Sequence, residues 1–113
     1  MDITYKTNKM RKVFNSGKRL VQEYGAERAK KVMMRQDLLR AAPNLAQVDA
    51  RPPTRRHELK GNRKGQFAVD LTGNYRLVFE PSHDPLPRKA DGGLDLERIT
   101  AITILSVEDY HND

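Results

Sequence analysis

Apolar positions recur with a helical period between Lys9 and Ala42 and with strand-like alternation from Phe67 onward, which divides the chain into a helical front and a β back. Asp2 to Thr7 alternates polar residues with Ile3 and Tyr5, predicting a short edge strand that opens a sheet. Met10, Val13, Phe14, Val21 and Tyr24 fall on helical spacing, but Asn15-Ser16-Gly17 interrupts them, so two helical pieces are expected. A third follows Gly25: Ala26, Ala29, Met33 and Leu39 mark one face of Ala26 to Ala42, Lys and Arg cover the rest, and Pro43 denies the helix its next turn. On this reading Met33 and Met34 fill the core rather than form an adaptable binding surface.

Asn44 to Ala50 suits one short turn before Arg51-Pro52-Pro53, a stiff extended connector. Beyond it, Phe67, Val69 and Leu71 alternate inward, Gly73-Asn74 supplies a tight turn with positive φ, and Tyr75 to Glu80 returns as an antiparallel partner. Pro81 to Arg98 is polar, holds three prolines and two adjacent glycines, and predicts a long mobile loop. Ile99 to Val107 is the closing strand. The predicted fold is α+β, with N-terminal helices packed on one face of a small, mainly antiparallel sheet, and 113 residues make a single domain, 1–113.

Charge changes this picture more than its total of +6 suggests. Residues 1–64 hold 17 Lys/Arg against 6 Asp/Glu, whereas residues 65–113 hold 4 against 9. A basic half of that kind attracts a polyanion, with RNA or DNA the commonest, although solvated cations also serve solubility alone. The absence of cysteine excludes a disulfide framework and a thiol nucleophile. No apolar stretch approaches the roughly 20 residues of a membrane span and no apolar leader opens the chain, so a cytoplasmic protein without membrane contact is expected. The three histidines lack ligand spacing, so neither metal nor cofactor is expected.

Candidate chemistry gathers in two places. Val107-Glu108-Asp109-Tyr110-His111 sets acids, a phenol and an imidazole at the end of a β-type run, and Arg55-Arg56-His57-Glu58-Leu59-Lys60 places a histidine among cations. Metal-free RNA cleavage needs a base for the 2′-hydroxyl proton, an acid for the leaving 5′-oxygen and fixed cations against the charge growing on the phosphorane. His57 and His111 are the proton-transfer candidates, with base and acid unassigned. Arg76, mid-hairpin, offers a planar fork to a phosphate and Lys60 a point charge. Asp109 suits positioning of a histidine or cation, and Tyr110 suits stacking on a base or orienting the nucleophile. Arg55, Arg56, Arg63 and Lys64 are candidate contacts to an RNA backbone, the last two carried on a flexible turn, Gly61 to Gly65, that lacks the ending of a phosphate-binding P-loop. The structural alternatives are an Arg76 salt bridge to Glu80 or Asp70, a His57 that merely sits on the surface, and a frayed His111. His83, in the loop, is assigned no role.

In order and spacing, His57-Glu58-Leu59-Lys60-Gly61, Lys64-Gly65, Gly73-Asn74-Tyr75-Arg76-Leu77-Val78-Phe79 and Glu108-Asp109-Tyr110-His111 resemble a HigB-type toxin of the RelE/ParE superfamily. The resemblance covers about residues 55–80 and 99–111, while the helical front agrees in layout more than in sequence. It implies a RelE-like fold and the toxin half of a type II toxin–antitoxin pair: an mRNA interferase that cuts messages on the ribosome and is neutralised by a HigA-like helix-turn-helix antitoxin, the toxin itself being monomeric within the complex. The alternatives are a ParE-like toxin that poisons DNA gyrase without cleaving anything, and a non-catalytic RNA-binding module. The loop from Pro81 to Arg98 is longer than the tight hairpin of such relatives, a departure that bears on substrate preference.

Overall fold

The structure, a computed structural model, describes residues 1–109, so Tyr110 and His111 lie outside the described residues. In chain order the elements are β1 (Asp2–Tyr5), α1 (Asn8–Phe14), α2 (Gly17–Tyr24), α3 (Ala26–Ala41), β2 (His57–Glu58), β3 (Phe67–Asp70), β4 (Tyr75–Pro81) and β5 (Ala101–Asp109), with 3₁₀ turns at Leu45–Gln47, Gly61–Arg63 and Leu96–Arg98. The sheet runs β1-β5-β4-β3-β2. Its first pair is parallel and the other three are antiparallel, giving an α+β molecule with a mixed sheet. None of the described helices is long and apolar enough to cross a membrane.

Local chemistry sets the helix boundaries. The Thr7 hydroxyl accepts the Met10 N–H at 3.1 Å to start α1, and the Ser16 hydroxyl accepts the Arg19 N–H at 3.2 Å to start α2. Gly25, at φ 83°, separates α2 from α3 in a conformation that L side chains resist. Ala42, before Pro43, is extended at ψ 133° and closes α3. Leu20, Val32, Leu39 and Leu45 pack from the helical half onto Leu77, Phe79, Ile102 and Ile104 of the sheet, all of them fully buried. At about 1.5–3 kcal/mol per buried large apolar side chain, this layer supplies the main drive to fold.

Four expectations are corrected. The buried face of α3 is Ala29, Val32, Arg35, Gln36 and Leu39, while Met33 and Met34 are exposed. Arg35 belongs inside because Nε donates to the Asp70 carbonyl at 2.7 Å and Nη2 to that of Pro53 at 3.4 Å, and Gln36 because Nε2 donates to the Phe14 carbonyl while Oε1 accepts the Tyr5 hydroxyl. The Arg51-Pro52-Pro53 connector is a turn, with the Arg55 N–H donating to the Arg51 carbonyl. The segment expected to be a mobile loop is tied down: β4 extends to Pro81, Arg88 bridges Leu94, the Asp95 N–H donates to the Pro87 carbonyl, His83 Nε2 accepts the Thr100 N–H at 3.0 Å, and Leu94 and Leu96 pack on the core. The turn Gly61–Arg63 likewise does not carry Arg63 outward; it folds that side chain onto β5.

One irregularity decides which groups share a face. β5 pairs Ile104 with Phe79 but Ser106 with Val78, leaving Leu105 as an extra residue against β4. Ile102 and Ile104 point to the helices, and a strict alternation would send Ser106 and Glu108 after them. The bulge reverses the phase, so that Val107 joins the core and Glu108 stands opposite Arg76 on the helix-free face.

Candidate functional site

On that helix-free face a row of charges crosses three strands. Asp70 of β3 and Glu108 of β5 are the register partners of Arg76 on β4, one on each side. Each carboxylate holds a further arginine. Arg55 grips Asp70 through Nε and Nη2 at 2.7 and 2.9 Å, and Arg63 grips Glu108 through Nη1 and Nη2 at 2.7 Å each. Arg76 Nη2 lies 3.5 Å from Glu108, and the side chain is buried. The sequence alternative of a bridge to Glu80 or Asp70 is thus replaced by an ion pair with Glu108. Two-pronged guanidinium–carboxylate contacts fix orientation as well as charge, so the row holds three guanidiniums in set positions.

Glu108 is the hub. Its carboxyl is held well below the usual range, from 4.5 to about 2, chiefly by the hydrogen bonds from Arg63, with partial burial opposing and the Ser106 hydroxyl and the Arg76 charge assisting. It is ionised wherever the protein works.

Beside the row, a cleft of about 490 Å³ is lined by His57, Glu58, Leu59, Lys60, Asn62, Arg63 and Arg76. His57 opens onto this face because its register partner is Ala68, which packs with Leu59 and Val78 there. Its Nδ1 lies 2.8 Å from the Arg55 carbonyl. A carbonyl can only accept, so Nδ1 carries the proton of the neutral ring and Nε2 carries the lone pair. Lys60 is exposed on the cleft rim, immediately before the Gly61–Arg63 turn.

Of the sequence-predicted site, the structure therefore brings together His57, Lys60, Arg76 and Arg63. Three predicted RNA contacts are used within the fold: Arg63 in its fork with Glu108, Arg55 in its pair with Asp70, and Arg56, whose Nη1 donates to the carbonyls of Leu45 and Val48 at 2.9 and 3.0 Å and fastens the 3₁₀ turn before the connector. Lys64 is exposed and faces a neighbouring, larger depression. Asp109 pairs opposite Tyr75, on the side of the sheet that carries Leu77 and away from the cleft. Sequence reasoning missed Glu108 and Ser106 as the groups that hold the arginines. The signal was present in the adjacent apolar pair Ile104-Leu105, which breaks the alternation and marks the bulge.

Among the described residues no three His, Asp or Glu side chains gather as a metal site would require. What the arrangement offers is an imidazole with a defined lone pair, oriented guanidiniums and an ammonium around one open cleft. No protein-family model matches the chain, and no curated protein does.

Proposed function

We propose that this chain is a HigB-type, RelE-like toxin: an endoribonuclease that cuts mRNA on the ribosome by attack of the 2′-hydroxyl on the scissile phosphate, without a metal or cofactor. The observation that carries the reading is the His57 ring, anchored through Nδ1 to the Arg55 carbonyl and opening on the same cleft as Arg76 and Lys60. With Nε2 lone-paired, His57 accepts the 2′-hydroxyl proton or, once protonated, donates to the leaving 5′-oxygen; His111 is the other member of the pair. Arg76 and Lys60 oppose the charge on the phosphorane, and burial of Arg76 strengthens its effect. Arg63 is the bound neighbour that shares Glu108 with Arg76. A HigA-like helix-turn-helix antitoxin is the expected partner, with the cytoplasm as the compartment of action.

One observation favours a second reading. Arg55, Arg56 and Arg63 are engaged within the fold, which removes cations expected to face a polyanion and suits a non-enzymatic toxin that blocks its target by binding. New 5′ ends mapped on a reporter mRNA after induction separate the two. Cuts that appear on the translated message, vanish without its start codon and are lost in His57→Ala and His111→Ala support the nuclease; growth arrest with no cuts supports the binder.

A further inference from the structure

The His57 cleft does not end at Glu58. That residue also lines a second depression of about 750 Å³, closed on its far side by the segment Leu86 to Leu94. Two kinds of group meet there. Lys64 and Arg88 supply cations from opposite walls, and Leu86 and Leu94 supply partly buried apolar surface. Both carboxylates of the depression are already committed to backbone: Glu58 Oε2 accepts the Gly65 N–H at 3.0 Å, and Asp91 Oδ1 accepts the Gly93 N–H at 2.9 Å. A carboxylate satisfied in this way repels an anion less than a bare one and keeps a second oxygen as an acceptor. The far wall holds its shape: the Lys89 N–H donates to the Gly93 carbonyl at 2.8 Å, the Gly92 N–H to that of Lys89 at 3.0 Å, and Arg88 Nη1 to the Gly92 carbonyl at 2.9 Å.

We propose that this depression is a subsite for single-stranded RNA flanking the scissile phosphate, built by the Leu86–Leu94 segment and entered over Glu58. The inference rests on the nuclease reading and adds to it a second, separate binding site. The ligand chemistry follows from the walls. Lys64 and Arg88 pair with phosphates, the two leucines cover the face of a base, and the spare carboxylate oxygens accept from base amino groups or ribose hydroxyls. A strand crossing at Glu58 meets Lys60 on the cleft side and Lys64 on the other, so its backbone remains near a cation throughout. A peptide without acidic side chains would use the leucines but leave Lys64 and Arg88 without an anion.

The test is binding of fluorescein-labelled 2′-O-methyl oligoribonucleotides of two, four and six nucleotides, which cannot be cleaved through the 2′-oxygen, followed by anisotropy across a salt series. Affinity rises with length for the wild type. In the double variant Lys64→Ala/Arg88→Ala the gain from two to six nucleotides falls at least tenfold, and the slope of log K against log salt shrinks by about 1.4, the value for two lost phosphate contacts on a single strand. A six-nucleotide RNA carrying 4-thiouridine crosslinks to the peptide containing Leu86 or Leu94. Unchanged length dependence in the double variant, or crosslinks confined to the His57 cleft, overturns the subsite while leaving the nuclease reading intact, since that stands on the mapped mRNA ends. Wild-type protein that binds none of the three oligonucleotides also overturns the subsite.

Discussion

Arg63 and Glu108, 45 positions apart, close on each other through two N–O contacts of 2.7 Å, and this fork joins the turn after β2 to the end of β5. Because Glu108 is also the ion-pair partner of Arg76, one carboxylate sets the position of two guanidiniums at the cleft. Removing its charge while keeping its shape should loosen both. Glu108→Gln is expected to lose on the order of 1–2 kcal/mol in urea denaturation, a value lowered for the partial exposure of the pair. A loss under 0.3 kcal/mol, with cleavage unaltered, would show that the hub is ornamental.

The same residue predicts an acid limb. A carboxyl whose folded value is about 2 against an ordinary 4.5 contributes stability that is present above about 4.5 and is lost as pH falls from there towards 2. Wild-type denaturation midpoints should therefore drop across that window more steeply than those of Glu108→Gln, whose amide does not titrate. Parallel acid limbs for the two proteins would contradict the assignment.

Leu105 is predicted to matter by its side chain more than by its presence. Deleting it closes the bulge, and Ser106, Val107 and Glu108 then follow Ile104 in simple alternation and keep their places opposite Val78, Leu77 and Arg76. The deletion removes one partly buried apolar side chain and should cost about 1–2 kcal/mol, with the Arg63–Glu108 fork retained. Leu105→Ala retains the bulge and loses the same side chain from its small cluster, so it should cost a similar amount. A deletion variant that fails to fold while Leu105→Ala folds would contradict this pairing.

On α3 the contrast is between Arg35 and Met34. Arg35→Ala leaves the carbonyls of Asp70 and Pro53 short of a donor inside the protein and should destabilise by about 2–3 kcal/mol, whereas Met34→Ala at an exposed position should change stability by less than about 0.5 kcal/mol. Thermal unfolding of the two variants checks the assignment of the helix face.

These comparisons also mark what the sequence could reveal. Thr7, Ser16, Gly25 and Pro43 act locally, so the helix boundaries were legible, as was the hairpin about Gly73, whose φ is 56°. The inner face of α3 was misplaced because Arg35 and Gln36 are buried by carbonyl partners far along the chain, and hydrophobic period carries no trace of such partners. Order in the Pro81 to Arg98 segment was hidden for the same reason: its ties to Thr100 and the core are tertiary. His57, Lys60 and Arg76 were recognisable as candidates by residue type. Their sharing of one cleft depends on the short strand at His57–Glu58, which only pairing with β3 sustains, while the Leu105 bulge sets Glu108 on the same face.

Arg76 should bear directly on rate. Arg76→Ala is expected to slow cleavage by roughly 100-fold, equivalent to about 3 kcal/mol of barrier, and Arg76→Lys should recover little because an ammonium cannot reproduce the fork. Single-turnover cleavage on programmed ribosomes gives the number, and a loss under threefold in both variants would remove Arg76 from the chemistry.

The most direct test of the central claim is the chemistry of the cut ends left by wild type and His57→Ala on ribosome-bound mRNA. Attack by the 2′-hydroxyl predicts cleavage that leaves a 2′,3′-cyclic or 3′-phosphate and a 5′-hydroxyl, and that falls at least about 100-fold in His57→Ala. Products bearing a 3′-hydroxyl and a 5′-phosphate, or no cleavage by the wild type, would contradict it.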